Sequence, residues 1–137
     1  MKRVMALDLG DAKIGIAMSD LMKIIANGYE TYKRVSEAKD LEYVVNLAKQ
    51  NDVDTIVLGL PINMDGTRGV RVEKTEEFAK KIEEASGLKI AFQDERLTTV
   101  TAERMLIEGN VRREKRKTVI DKVAATIILQ TYLDSHR

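Results

Sequence analysis

The strongest constraint on the fold is the stretch from Val4 to Asp20, which reads VMALDLGDAKIGIAMSD and sets a carboxylate inside an apolar strand. In a strand, side chains alternate between the two faces, so Val4 and Asp8 share a face. Apolar residues on both faces predict a central strand that is covered on both sides. An ionised carboxylate in such a strand is costly unless a cation or hydrogen bonds compensate it. Asp8 is therefore a candidate site residue.

A β-hairpin is predicted directly after Asp8. Residues 10–13 have turn chemistry, and apolar residues alternate with small ones from Ile14 to Ser19. Gly10 permits two interpretations. Its missing side chain either lets a phosphodiester or a hydrated metal approach the backbone beside Asp8, or it serves a tight turn. In the second case a neighbouring backbone N–H would satisfy Asp8.

The hydrophobic pattern predicts seven further elements, in the order strand, helix, strand, helix, strand, helix, helix. They are a polar edge strand over 26–33, a helix from the cap Ser36 to about Asn51, a buried parallel strand over 55–60, a helix stopped by Gly87, a strand over 88–93, a short helix from Thr98 or Thr99 to Gly109, and a helix from about Thr118 to Asp134. With 137 residues, a single domain spanning 1–137 is expected. The predicted fold class is α/β, with a mixed five-stranded sheet that joins a three-strand antiparallel meander to two parallel strands and carries helices on both faces.

Composition limits the chemistry of any metal site. There is no Cys, and the single His, at position 136, cannot build a zinc site, so a metal must be bound by oxygen ligands. No apolar run approaches the roughly 18 residues of a membrane span, and no signal-peptide pattern is visible. We therefore expect a cytoplasmic protein without a membrane partner. Because the net charge is only +1, nucleic-acid affinity would require a local basic patch.

Two further acids are candidates beside Asp8. Glu95 lies at the exit of the last predicted strand, and Asp121 shares a helical face with Ala124 and Ala125, where packing would not place a carboxylate. Ligands gather outside the carboxyl ends of parallel strands, so these acids could converge there. Two carboxylates about 4 Å apart repel by roughly 4 kcal/mol at a dielectric near 20, and a divalent cation removes that conflict. Mg²⁺ or Mn²⁺, with two ions bound, would suit phosphodiester hydrolysis.

Four motifs together resemble the YqgF/RuvX family: LDLGDAKIGIAMSD (7–20), GLPINMDGT (59–67), DERLTT (94–99) and VIDKVAATIIL (119–129). They span nearly the whole chain in the family's order. The resemblance implies a ribonuclease H-like fold, and it implies either a Holliday junction resolvase or a nuclease acting at the 5′ end of pre-16S rRNA. By motif position, Asp8, Glu95 and Asp121 match the family's acidic residues. Asp94 would point to the opposite face if the strand continues, and it is the second choice as a ligand.

Several basic residues are candidates for nucleic-acid binding. Arg96 either contacts phosphate or holds Glu95 through an ion pair. The run at 111–117, VRREKRK, is interpreted as a loop or the entry to a helix. Such a run is ordinarily solvated, but beside a carboxylate site it favours backbone contact without base readout. The candidate set is Lys13, Arg96, Arg112, Arg113, Arg116 and Lys117.

Two other classes compete with a nuclease. D-x-G followed by a hairpin also serves as a phosphate loop in actin-like ATPases and sugar kinases, although 137 residues can hardly supply two lobes. A non-catalytic nucleic-acid-binding module is the second rival. The sequence leaves open whether the substrate is structured precursor rRNA or branched DNA, and whether the protein is a monomer or a homodimer.

Overall fold

The computed structural model describes residues 2–61, 69–94 and 113–136, with the backbone alone over 113–122. In these ranges the chain forms five strands and three helices, and the order of the elements agrees with the prediction. They are β1 (Arg3–Leu9), β2 (Lys13–Ser19), β3 (Ala26–Lys33), α1 (Glu37–Gln50), β4 (Val53–Leu60), α2 (Val70–Ser86), β5 (Lys89–Asp94) and α3 (Arg113–Ser135). The predicted short helix ending at Gly109 lies outside the described residues.

The strands form one mixed sheet in the order β3-β2-β1-β4-β5. β1 pairs antiparallel with β2, and β2 pairs antiparallel with β3, which is the predicted meander. β1 and β5 each pair in parallel with β4. The mixed five-stranded sheet is thus confirmed, with β1 at its centre and the polar β3 at an edge.

Each face of the sheet is covered by helices. One face packs against α1 and α2 through large residues such as Leu7, Ile16 and Phe78. The other face packs against α3 through smaller ones, including Ala6, Ala17 and Ala125. Small residues on both surfaces let a helix approach a sheet closely, as the alanine pair at 124 and 125 predicts. Both of these alanines are buried.

The helix ends follow the predicted chemistry at two points and differ at one. The Ser36 side chain caps α1 by accepting from the Lys39 N–H, and Gly87 ends α2 in the left-handed conformation with φ 71°. α3 begins at Arg113 rather than near Thr118, so the basic run continues into the helix. Arg, Lys and Glu are good helix formers, and charge alone does not stop a helix. Within the described residues, no helix is long and apolar enough to cross a membrane.

Candidate functional site

Asp8 is the last residue but one of β1, the central strand, and it is half-buried. It lies on the face of Val4 and Ala6, which α3 covers. On β2 its direct partner is Gly15. On the other side Leu7 pairs with Leu58, so the next register position of β4 is Gly59. Both strands that flank Asp8 therefore present a glycine at its level.

At the two strand positions directly beside Asp8, glycine supplies no side chain. On this row the first side chains beyond them are Thr31 on β3 and Gln93 on β5. Strand residues in register have Cβ atoms about 5 Å apart, so a glycine on each side removes the two side chains that would otherwise stand next to the carboxylate. Both glycines are buried, and α3 covers this face of the sheet.

Gly10 is explained by the turn itself. Its N–H donates to the Lys13 carbonyl oxygen at 2.9 Å. A Cβ built at this position would lie 2.8 Å from that same backbone oxygen, which is too close for any side chain. Of the two interpretations of Gly10, the tight turn accounts for the residue without a ligand.

The structure separates Asp94 from Asp8 by face. Asp94 ends β5 and is in register with Leu60. It alternates with Phe92 and Ile90, and Ile90 packs against the cluster beneath α1 and α2. Asp94 therefore lies on the face opposite to Asp8, as expected of a strand that continues to this residue. Glu95, Arg96 and Arg112 lie outside the described residues.

Asp121 lies in α3, where the structure describes its backbone. At helical spacing its position shares the face of the buried residues Ala124, Ala125, Ile128 and Tyr132. Tyr132 and Val4 line one pocket at the amino end of β1, so the carboxyl-terminal part of α3 lies there. From Val4 to Asp8 the strand rises about 13 Å. From Tyr132 back to position 121 the helix covers about 16 Å, which is long enough to reach the level of Asp8.

Of the basic candidates, Lys13 is the one whose side chain the structure describes. Ile14 faces the cluster beneath α1 and α2, so Lys13 faces the other way, like Asp8. It is exposed and its direct partner on β3 is Lys33, which is exposed as well. Arg113, Arg116 and Lys117 lie in the first turns of α3, where the backbone alone is described.

Sequence reasoning missed a buried ion pair beside the Gly10 turn. Asp40, in α1, is 1% exposed and accepts from the Arg34 Nε at 2.8 Å. Its other carboxylate oxygen accepts from the Val35 N–H and the Tyr32 hydroxyl, at 3.0 and 3.1 Å. Arg34 also donates to the Gly10 carbonyl oxygen at 2.8 Å, so the pair ties α1 to the turn that follows Asp8.

The pKa of Asp40 reflects two opposing effects. Burial is the largest and raises it, but hydrogen bonds from Arg34, Val35 and Tyr32, with the Arg34 charge, outweigh burial and hold the pKa below its ordinary value. Asp40 therefore stays ionised as a structural anion. A signal was available, since Asp40 lies four residues before Val44 on the apolar stripe of α1.

A metal site can be judged by its donors. Among the side chains that the structure describes, no three His, Asp or Glu residues cluster closely enough to hold a metal ion. Asp8 supplies a half-buried carboxylate between two glycines, and the chain has no Cys to offer as an alternative ligand. Carboxylate oxygens suit Mg²⁺ and Mn²⁺, so the donor chemistry at Asp8 fits the cation that the sequence predicts.

Comparison with known proteins identifies a family and close relatives. The family described as RuvX, Holliday junction resolvase, matches residues 2–135. A protein of Clostridioides difficile is 51% identical over 132 residues, which are 96% of this chain and 94% of that protein. A protein of Endomicrobium trichonymphae is 50% identical over 135 residues, covering 98% and 96% of the two chains. Both relatives carry the name "Putative pre-16S rRNA nuclease".

Solved structures share the fold. Thermus thermophilus RuvC in complex with Holliday junction substrate has a TM-score of 0.60 at 11% identity, covering 98% of this chain and 95% of that one. Fowlpox virus resolvase with its substrate Holliday junction DNA has a TM-score of 0.59 at 12% identity, covering 97% of each chain. The predicted ribonuclease H-like fold is thereby confirmed.

Proposed function

The chain belongs to the RuvX family of Holliday junction resolvases, and from this membership we propose that it is a divalent-metal-dependent endonuclease. We propose precursor 16S rRNA, at its 5′ end, as the substrate. The observation that carries the proposal is the position of Asp8 at the carboxyl end of the central strand, between two glycines and on the face covered by α3. The cytoplasm, where ribosomes are made, is the proposed location.

The proposed metal ligands are Asp8, Glu95 and Asp121. Asp8 lies on a strand that is paired on both sides, so its backbone is held in place before any ligand arrives. The helical face of position 121 and the length of α3 support its approach to the same place. When bound, a pair of Mg²⁺ or Mn²⁺ ions supplies an activated water and stabilises the departing oxygen of the phosphodiester.

The protein's own side chains would bind and orient the substrate. Lys13 lies on the Asp8 face and can contact phosphate, and Arg96, Arg112, Arg113, Arg116 and Lys117 are proposed for the same role. Contacts to the phosphate backbone position a substrate and carry no sequence information directly. The specificity for a precursor end would then depend on the shape of the RNA.

Precursor rRNA is preferred to branched DNA because the relatives named for rRNA are far more similar in sequence to this chain than the solved junction resolvases are. Relatives at 50 and 51% identity over nearly the whole chain are named for pre-16S rRNA. The junction resolvases resemble this chain at 11 and 12% identity, which speaks for the fold and not for the substrate. Resolution of Holliday junctions stays the second candidate, because the family description itself names that activity.

The test compares a labelled precursor rRNA 5′ segment with a labelled four-way junction, each with Mg²⁺, with Mn²⁺ and with chelator. We expect metal-dependent cleavage of the RNA. Asp8→Asn, Glu95→Gln and Asp121→Asn should each abolish it while circular dichroism shows an intact fold. Asp94→Asn is the matched control and should retain activity, because Asp94 lies on the opposite face. Normal turnover by any of the first three variants would remove that residue from the proposed site. Cleavage of the four-way junction alone would make the junction, and not precursor rRNA, the favoured substrate.

A further inference from the structure

We propose that Lys13 and Lys33 together bind one backbone phosphate next to the phosphate that is cleaved. This subsite rests on the proposed nuclease function, and it assigns a role to Lys33 and to the pairing of the two lysines. The ligand is a nucleic-acid phosphodiester, recognised by its charge and not by its bases.

The two lysines are direct cross-strand partners at one end of the sheet. Lys13 begins β2, Lys33 ends β3, and the register pairs them. Side chains that are paired in this way leave the same face of a sheet, with Cβ atoms about 5 Å apart. Because a lysine stem has four carbons and rotates freely, both ammonium groups can reach a common anion.

The pair lies on the proposed catalytic face, one step beyond Asp8. Gly15 is the direct partner of Asp8, and Lys13 precedes it by two residues on the same face of β2. Two residues of strand span about 7 Å. That step is comparable to the distance between neighbouring phosphates of one nucleic-acid strand. A strand with one phosphate at Asp8 can therefore place the next one between the two lysines.

The pairing is unfavourable without an anion. Like charges directly opposite each other destabilise a sheet. Within the described part of the chain, neither lysine forms an ion pair that would offset the repulsion. An anion between the two lysines would be favoured, because a bound phosphate converts the repulsion into two attractions.

The test is a salt titration of affinity for the labelled precursor rRNA segment and the four-way junction, in Ca²⁺ to suppress cleavage. Lys13→Gln and Lys33→Gln should each weaken binding and flatten the plot of log K against log salt, with no loss of melting temperature. Since the two residues share one phosphate, the double variant should lose about 0.7 to 0.9 of slope in total. Lys89→Gln is the matched control, because Lys89 is an exposed strand lysine of the same face at the opposite end of the sheet.

The outcomes separate this subsite from the nuclease activity. Unchanged slopes in the lysine variants, or an equal change in Lys89→Gln, would overturn the subsite even if the parent cleaves RNA. A loss of about 1.4 to 1.8 in the double variant would mean two independent phosphates and would overturn the shared site. Flattened slopes in the lysine variants, when the parent protein cleaves neither substrate, would support the subsite and refute the nuclease.

Discussion

Replacing Asp40 with Asn should destabilise the protein far more than the loss of one charge in the first turn of a surface helix would imply. In the parent, one carboxylate oxygen accepts from Val35 and Tyr32 and the other from Arg34. The Asn side chain can keep the first two bonds, but its amide group meets the Arg34 donor with a second donor. The lost interaction is buried, because Asp40 is 1% exposed and the Arg34 side chain is 22% exposed.

The expected cost is about 3 kcal/mol. That is the upper end of the roughly 1.5–3 kcal/mol for a hydrogen bond to a charged group, and the lower end of the roughly 3–5 kcal/mol for a buried pair that loses one partner. Glu37→Gln is the matched control, since it breaks the ion pair between Glu37 and Lys81. The side chains of Glu37 and Lys81 are 53% and 48% exposed. An exposed pair contributes about 0–1 kcal/mol.

The free energy is measured by urea unfolding and the melting temperature by heating, each followed by circular dichroism. The melting temperature of Asp40→Asn should fall by about 10 °C, while that of Glu37→Gln should barely change. Because the folded pKa of Asp40 is lowered, its contribution is complete above the unfolded value near 4 and is lost as the pH falls through the folded pKa. The gap between parent and Asp40→Asn should therefore be constant near neutral pH and narrow below about pH 4. A cost of less than about 1 kcal/mol, equal to that of the exposed pair, would refute the reasoning.

Two further predictions concern the basic run and the turn. Replacing four residues of the basic run with Ala should weaken nucleic-acid binding similarly for all sequences; the four are Arg112, Arg113, Arg116 and Lys117. The slope of log K against log salt should fall by about 0.7 to 0.9 per lost contact. An unchanged slope would show the run to be an ordinary solvated surface. Gly10→Ala should cost about 1–3 kcal/mol in urea unfolding, because its Cβ would force the Lys13 carbonyl to move. Gly69→Ser, at an open N-cap position, should instead be neutral or slightly stabilising, and equal effects at the two glycines would contradict the steric argument.

The sheet could be predicted because its signals are local. The alternation of side chains along the sequence predicted β1 and β2. The bounds of β3 agree with the prediction at both ends. The unbroken apolar run of β4 indicated a parallel strand covered on both sides, which the register confirms. The start of α3 was wrong by about five residues, because the basic run was interpreted as a loop or the entry to a helix and the helix was expected from about Thr118. Lys and Arg have a high helix propensity, so a run of these residues can form a solvent-exposed helix as readily as a loop.

The site is harder to predict because one signal has two meanings. An acid on an apolar helical stripe singled out Asp121 as a ligand, and the same pattern occurs at Asp40. In the structure Asp40 is a structural anion, held by Arg34 across a turn that sequence spacing does not reveal. The partner of a buried acid is set by tertiary contacts, so the pattern predicts compensation without naming the compensating group.

The packing of α3 also has a consequence for the order of events during synthesis. The Ala26 N–H at the start of β3 donates to the Gln130 side chain, 104 residues further along the chain. Residues up to Asp94 contain the whole sheet and the helices of one face, and they emerge first. At about 5–20 residues per second, some seconds pass before the last turns of α3 follow. During that interval the face with Val4, Ala6 and Asp8 is bare and lacks Asp121. An unfinished chain thus offers an apolar surface to chaperones, and the proposed ligand set is not complete until α3 has been made.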